Sequence, residues 1–116
     1  ICGLSMGGFH TLYISLNNPD MFGYSGMFSA AIGVSDASVS PIYQDFDAKL
    51  ATYFSRKPAL LWIGCGNTDF LHSANVEFVS KLNENGYPHE YLENEGGNIW
   101  RNWRVYLTEF VPKLFK

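Results

Sequence analysis

Apolar and polar residues alternate along this chain in blocks that predict strands and helices in turn. Short apolar runs predict buried strands at residues 24–32 and 59–63, and a last strand at residues 89–93. Between them, apolar residues recur at helical spacing, at Phe9, Leu12, Tyr13 and Leu16 in one helix and at Leu71, Ala74, Phe78 and Leu82 in another. Such alternation is typical of an α/β fold with a parallel sheet.

The ends of these elements carry their own signals. Asn17-Asn18-Pro19 is expected to stop the first helix, and Gly86 followed by Pro88 to close the helix after residue 70. A short amphipathic helix is predicted at residues 47–54, and residues 33–41 form a polar loop. The final helix is predicted to bury a set of apolar side chains, namely Trp100, Trp103, Leu107, Phe110 and Leu114. Residues 1–116 show no internal boundary and are treated as part of one domain.

The composition excludes several classes of protein. Hydrophobic residues make up 47% of the chain and aromatic residues 16%, which is enough to build a large core at 116 residues. A net charge of −3 and a pI of about 5.5 indicate no basic surface for nucleic acid or for an anionic membrane. No apolar run approaches the roughly 20 residues that a membrane helix needs. Nucleic-acid and membrane partners are therefore not expected.

Both cysteines are predicted to be small buried apolar residues. If Cys2 lies in the first strand and Cys65 two strands away, their backbones are roughly 10 Å apart, beyond the reach of a disulfide. The pair therefore indicates nothing about the redox compartment.

The segment Gly3-Leu4-Ser5-Met6-Gly7 has the G-x-S-x-G pattern of a nucleophile elbow, a sharp turn that presents a reactive serine between a strand and a helix. A short apolar stretch precedes it and a helical pattern follows it, as the motif requires. Side chains at Gly3 and Gly7 are expected to collide with the turn, and the Met6 N–H is expected to be an oxyanion donor. The alternative is a Gly/Ser loop that only joins two elements.

Asp69 is the predicted acid that partners Ser5. It follows the strand at residues 59–63, and active-site residues of open parallel sheets lie beyond the carboxyl ends of the strands. The alternative role for Asp69 is to cap the helix that starts near Phe70. Asp36, in the polar loop after the preceding strand, is the second candidate for the acid.

Three stretches carry a resemblance to a known family: GLSMGG at residues 3–8, WIGCGNTDF at 62–70 and EGGNIWRNWRVYLTEFVPKLF at 95–115. They are similar to the esterase branch of the α/β-hydrolases that includes feruloyl and acetyl-xylan esterases and the esterase D type. The resemblance implies a three-layer αβα α/β-hydrolase fold, with this chain as its C-terminal portion. Because the chain opens inside what should be a central strand, we expect the N-terminal strands to come from a preceding segment or another chain.

The resemblance also implies roles for single residues. In the family the third stretch normally reads glycine, glycine, histidine, and that histidine is the general base that serves the serine nucleophile and its acid. Here the equivalent position is Asn98. Asparagine cannot accept the proton of Ser5, and losing the base of such a triad lowers turnover about a millionfold. We therefore expect this chain to be inactive or impaired.

Relatives of this type cleave carboxylic esters, often acyl groups on plant polysaccharides, without a metal or an organic cofactor. The resemblance thus implies an oligosaccharide or small-molecule ester as the substrate. Phe70, His72 and Trp100 are the candidate substrate-binding residues, and His72 is also a candidate replacement for the missing base. His10 and His89 are expected to pack locally or to lie away from the site.

Three interpretations remain open at this point. The chain is a piece of a serine esterase whose histidine was removed, or a non-catalytic descendant that binds acylated carbohydrate, or a truncated product without a function of its own.

Overall fold

A computed structural model describes residues 1–32 and 45–115 of the chain. Its strands form one parallel sheet in chain order: β1 (Cys2–Leu4), β2 (Tyr24–Phe28), β3 (Leu60–Gly66) and β4 (Glu90–Asn94). The parallel sheet predicted from the sequence is therefore confirmed. All the strands point their carboxyl ends toward the same edge, and this is where the candidate site lies.

A helix follows each strand: α1 (Met6–Asn17), α2 (Phe46–Ser55), α3 (His72–Glu84) and α4 (Trp100–Phe110), which continues into a 3₁₀ turn at Val111–Lys113. The stop signal after α1 is confirmed, and the amide groups of Asn17 and Asn18 donate to the carbonyls of its last turn at 2.8 and 3.0 Å. Gly86 takes a φ of +67° just after α3, as expected of a glycine that ends a helix.

The sheet separates two cores, because neighbouring residues of a strand point to opposite faces. Met27 and Ile63 pack with the helices on one face, whereas Phe28 and Trp62 pack on the other face against Tyr106 and other residues of α4. The first cluster draws its buried helical residues from the remaining helices, including Leu12, Leu16, Leu50, Phe78 and Leu82. A sheet between two helical layers is the three-layer αβα arrangement that the resemblance implied.

The ends of several elements differ from the predictions. The apolar run at residues 24–32 is a strand only as far as Phe28, because the chain then turns around the elbow: Ser29 N–H donates to the carbonyl of Gly64 and Ala31 N–H to that of Ser5. The strand β3 extends to Gly66, and α2 is one residue longer at each end than predicted. The predicted polar loop at residues 33–41, with the alternative acid Asp36, lies outside the described residues.

The prediction for the buried face of α4 is partly wrong. Trp100 is 63% exposed and Leu107 is exposed, whereas the residues that point inward are Asn102, Tyr106 and Phe110. These three lie four residues apart and form one row along the helix. Asn102 was missed because a search for apolar periodicity passes over an amide that is buried by its hydrogen bonds.

Burial is confirmed for Cys65 but not for Cys2, which is exposed. The strand β1 is the first strand of the described sheet and pairs there with β2 alone, so its side chains are covered less than those of the inner strands. Both thiols are free.

Candidate active site

Ser5 stands in a strained turn between β1 and α1. Its φ of 53° and ψ of −116° lie in a region that residues with a side chain rarely adopt. The surrounding backbone over-determines this conformation: Ser5 N–H donates to the Phe28 carbonyl at 2.8 Å, and the Ser5 carbonyl accepts from Gly8, Phe9 and Ala31. The side chain is half-buried. The sharp turn expected of a nucleophile elbow is therefore present.

The glycines of the turn do not contribute equally. A Cβ at Gly3 would lie 2.2 Å from the carbonyl oxygen of Gly7, so Gly3 has no room for any side chain. The same expectation for Gly7 is wrong, because a Cβ there would meet no atom of the described residues within 4 Å. The second sterically required glycine is Gly8, whose Cβ would lie 2.7 Å from that of Ala30.

Met6 is the first residue of α1. The first N–H groups of a helix have no carbonyl partner within the helix and carry the positive end of its dipole. The Met6 N–H thus remains a candidate oxyanion donor beside Ser5.

Asp69 lies in the loop between β3 and α3 and is only 5% exposed. One carboxylate oxygen, Oδ1, accepts a hydrogen bond from Leu71 N–H at 2.9 Å in the turn that leads into α3, a local bond similar to the capping role considered from the sequence. The other oxygen, Oδ2, is buried and has no hydrogen-bond partner among the described residues. A buried carboxylate oxygen without a donor is costly, so this atom calls for a partner that the capping role does not provide.

Asn98 lies in the loop between β4 and α4 and contacts Ser5 directly. Its Nδ2 donates to Ser5 Oγ at 3.3 Å, although the two residues are 93 positions apart in the chain. Its Oδ1 accepts a hydrogen bond from the indole Nε1 of Trp103 at 2.8 Å. The fold therefore brings together the serine and the asparagine that the sequence had paired.

The loops that carry Asp69 and Asn98 are docked on each other through Gly96. Its carbonyl accepts the Thr68 N–H at 3.1 Å, and its N–H donates to Asn67 Oδ1 at 3.3 Å. A Cβ at Gly66 would lie 2.0 Å from the Gly96 carbonyl oxygen, so only glycine at position 66 permits this approach. These contacts join the loop that carries Asp69 (the acid loop) to the loop that carries Asn98 (the asparagine loop).

A buried chain of polar side chains supports the asparagine loop. Tyr106 donates to Asn94 Oδ1 at 2.8 Å, Asn94 Nδ2 donates to Asn102 Oδ1 at 3.0 Å, and Asn102 Nδ2 donates to the Gly97 carbonyl at 2.8 Å. Burial raises the pKa of Tyr106 to about 12, so its hydroxyl stays protonated and keeps its role as a donor. The sequence analysis assigned no role to Tyr106, Asn94 or Asn102, because their residue types and spacing do not indicate a hydrogen-bonded chain.

The contacts of the three histidines are with residues other than Ser5. His72 Nε2 lies 2.5 Å from Glu93 Oε1, and His89 Nδ1 contacts the Tyr87 carbonyl at 2.8 Å. His10 is exposed on α1 and lies beside the ring of Phe9. Among the described residues, Asn98 is the side chain hydrogen-bonded to Ser5 Oγ, so His72 is not placed as a substitute base.

The charge around the acid loop also suppresses the thiol of Cys65. Burial, followed by the negative charge of Asp69, raises the pKa of Cys65 to about 12. Cys65 is therefore a protonated, unreactive thiol, as expected of a buried small residue.

Two exposed aromatic side chains lie close in the sequence to residues of the candidate site. Phe70, next to Asp69, is 79% exposed, and Trp100, two residues after Asn98, is also largely exposed. Trp100 meets Trp103 edge to face, with ring centroids 5.9 Å apart. Their exposure makes both rings available to a ligand, whereas His72 is half-buried and engaged with Glu93.

Within residues 1–32 and 45–115, no cluster of three or more metal-ligating side chains is found. In the same residues, no helix is long and apolar enough to cross a membrane.

The elbow at Ser5, on a parallel sheet covered by helices on both faces, defines the α/β-hydrolase class. The profile of the family described as "Putative esterase" matches residues 1–114, and the chain belongs to that family. The resemblance and the fold expected from the sequence are thereby confirmed, and the family is one of ester hydrolases of the feruloyl and acetyl esterase type.

The chain is similar to longer proteins. It is 31% identical over 117 residues to an "Endo-1,4-beta-xylanase/feruloyl esterase" of Xylanibacter ruminicola, a match that covers 100% of this chain and 14% of that protein. It is 26% identical, with a TM-score of 0.76, to the CE1 ferulic acid esterase AmCE1/Fae1A of Anaeromyces mucronatus, covering 95% of this chain and 41% of that one.

A third relative shows the fold alone. The serine hydrolase FphF of Staphylococcus aureus is 21% identical with a TM-score of 0.81, and the match covers 100% of this chain and 54% of FphF. The chain thus spans about half the length of these solved structures.

Proposed function

We propose that this chain is the part of a serine carboxylesterase that carries the nucleophile Ser5, the acid Asp69 and, at the position of the general base, Asn98. The observation that supports the proposal is the hydrogen bond from Asn98 Nδ2 to Ser5 Oγ at 3.3 Å. A general base must lie within hydrogen-bond reach of the proton that it removes. The side chain at position 98 occupies that place.

Asp69 fits the role of the acid because of its second oxygen. In a serine–histidine–acid triad, the acid accepts the N–H of the imidazole ring and thereby fixes the orientation of that ring. Asp69 Oδ2 is buried and has no donor among the described residues. A histidine at position 98 would supply an N–H of the required kind on the neighbouring loop.

With such a base, the reaction would run in two steps. Ser5 Oγ attacks the carbonyl carbon of the ester while the base takes its proton, and the base then protonates the departing alcohol, leaving an acyl-enzyme. Water attacks the acyl group, the same base takes a proton from that water, and the carboxylic acid leaves as Ser5 recovers its proton. The Met6 N–H stabilises the oxyanion in both steps.

With Asn98 in place, neither proton transfer has an acceptor. The amide nitrogen donates to Ser5 Oγ, and an amide does not take up a proton in water near neutral pH. We therefore propose that turnover by this chain is about a millionfold lower than that of a form with histidine.

The substrate class follows from the named relatives. Feruloyl esterases appear both among the sequence relatives and among the solved structures, so we propose an acylated carbohydrate with a feruloyl or acetyl ester. The exposed rings of Phe70 and Trp100 could stack on a sugar or on an aromatic acyl group.

A second function is favoured by the same hydrogen bond. Because Asn98 leaves Ser5 without a base, the site could bind an ester and leave it uncleaved. In this second function the chain binds a carbohydrate ester without hydrolysing it, whereas in the first function the chain is part of an esterase.

The experiment is the substitution Asn98→His in the longest natural polypeptide that contains this chain. Hydrolysis of 4-nitrophenyl acetate and of methyl ferulate is measured for the parent, for Asn98→His and for Ser5→Ala/Asn98→His. We expect little turnover in the parent, a gain of several orders of magnitude with histidine, and loss of that gain without Ser5. Equal and substantial rates in the parent and Asn98→His would refute the assignment of position 98.

A matched control is Asn85→His, which introduces the same ring at an exposed asparagine at the opposite end of α3 from Asp69. It should leave the rate at the parent level. Binding of a feruloylated oligosaccharide by the parent, measured by calorimetry and without product formation, would favour the second function.

A further inference from the structure

The two hydrogen bonds of Asn98 have a fixed direction. An indole N–H can only donate, and Trp103 Nε1 lies 2.8 Å from one end of the Asn98 carboxamide. The atom at that end must therefore be the acceptor Oδ1. The opposite end, which faces Ser5 Oγ at 3.3 Å, must then be the NH₂ group, so Ser5 accepts this hydrogen bond.

We propose that Trp103 is a positioning residue that sets the direction of hydrogen bonding at Ser5. Its effect passes through Asn98, so the inference rests on the proposed role of the site around Ser5. With the present direction, a lone pair of Ser5 Oγ is engaged and the hydroxyl proton is left to donate to a ligand. With the amide reversed, Oδ1 would accept that proton and the lone pairs of Oγ would be free to attack.

The indole is well placed to impose this direction. Trp103 is half-buried and packs against the cluster of Phe28, Trp62, Tyr106 and Phe110 beneath α4. Packing therefore restricts its orientation in addition to the hydrogen bond to Asn98. A donor held in place by a core can select the orientation of the amide that it contacts.

The backbone beside Asn98 is held separately. Asn102, which is 2% exposed, donates to the Gly97 carbonyl at 2.8 Å, and the N–H of Ile99 donates to the same carbonyl at 3.0 Å. Successive residues of α4 thus have separate roles, because Asn102 fixes where position 98 lies and Trp103 fixes which atom its side chain presents. Removing the indole N–H should change the second and leave the first intact.

The test removes only that N–H. Trp103 is replaced by β-(3-benzothienyl)alanine, in which sulfur stands where the indole carries N–H and the ring size is nearly unchanged. The side-chain NH₂ resonances of Asn98, assigned by their loss in Asn98→Ala, are followed by ¹⁵N–¹H NMR. We expect them to shift and to exchange faster with water, because the carboxamide can then rotate.

Reactivity of Ser5 gives the second readout. The rate at which a fluorophosphonate modifies Ser5 should rise about 2- to 10-fold in the benzothienyl variant, which corresponds to the net free energy of one hydrogen bond. Trp103→Phe should behave in the same way if it folds. Val105→Ala, on the exposed side of the same helix, is the control and should leave both readouts unchanged.

Unchanged Asn98 resonances in a benzothienyl variant that melts like the parent would overturn the role of Trp103. The two proposals can fail separately. If Asn98→His restored no turnover, the proposed function would be lost, and the Asn98 resonances would still decide the inference about Trp103.

Discussion

His72 Nε2 lies 2.5 Å from Glu93 Oε1, and this contact ties the first residue of α3 to β4. Tyr91 donates to the same carboxylate oxygen at 3.0 Å. The acid loop ends at His72, and the asparagine loop begins where β4 ends, one residue after Glu93. The His72–Glu93 pair, here called the clasp, therefore joins the two loops of the candidate site where they meet α3 and β4. His72 therefore has a structural contact beside the site, and its role as a substrate contact stays a prediction.

This clasp predicts a particular dependence of stability on acid. The hydrogen bond from His72, and after it the one from Tyr91, lowers the pKa of Glu93. A carboxyl group whose pKa is lower in the folded state stabilises the protein above its unfolded pKa, which is about 4.3 for glutamate. That stabilisation is lost as the pH falls through the folded-state pKa.

Glu93→Gln should therefore weaken the dependence of the melting temperature on pH in the acid range. We expect its melting temperature to fall less steeply than that of the parent below about pH 4.3, and to lie slightly below it near neutral pH. The effect is small because the pair is exposed to solvent. Circular dichroism melts across this range provide the measurement, with Glu95→Gln as the control. Parallel acid limbs for the parent and Glu93→Gln would contradict this role of the clasp.

The glycines of the elbow give a prediction with a built-in comparison. Gly3→Ala would place a Cβ 2.2 Å from the backbone carbonyl oxygen of Gly7. Both groups belong to the backbone of the turn, so neither can move away without distorting it. We expect it to lower the free energy of unfolding by about 3 kcal/mol or more. Gly7→Ala has open space and lies in the first turn of α1, so it should be neutral or stabilising by up to about 1 kcal/mol. Urea denaturation of both variants is the test, and equal losses would contradict it.

Much of the fold could be predicted from the sequence, because its main features are periodic. The strands and helices follow from the spacing of apolar residues, and the elbow follows from a short motif of contiguous residues. Ser5 and Asn98 could be paired only through the resemblance, since 93 residues separate them and no periodic signal connects them.

The supporting amides could not be predicted in the same way. Asn75 and Asn102 are buried, and each donates to a backbone carbonyl: Asn75 to that of Ala30 beyond β2, and Asn102 to that of Gly97 in the loop before α4. Such partners are fixed by tertiary packing, so the sequence shows only an asparagine within a helix, where an exposed position would be the usual expectation. The exposure of Trp100 and Leu107 was missed for a related reason. The spacing of apolar residues predicts an apolar helix face, but it does not show whether another segment packs on that face.

Asp69 offers the sharpest distinction between a structural and a catalytic role. Asp69→Asn keeps an oxygen that can accept the Leu71 N–H, as Oδ1 does at 2.9 Å, so the capping role survives. It also removes a buried carboxylate oxygen that has no donor among the described residues. We expect the free energy of unfolding to change by no more than about 1 kcal/mol, because a neutral amide is less costly to bury than an unpaired carboxylate.

Activity should respond very differently. Introduced into the Asn98→His form, Asp69→Asn should lower kcat for 4-nitrophenyl acetate by about 10⁴-fold, the loss known when the acid of a serine protease triad becomes an amide. The reason is that an amide at position 69 can turn its NH₂ toward the imidazole and hold the wrong tautomer. Asn67→Asp, in the same loop but facing Gly96, serves as a control for local disturbance. A small effect on kcat alongside a large loss of stability would show that Asp69 is a cap and not the acid of this site.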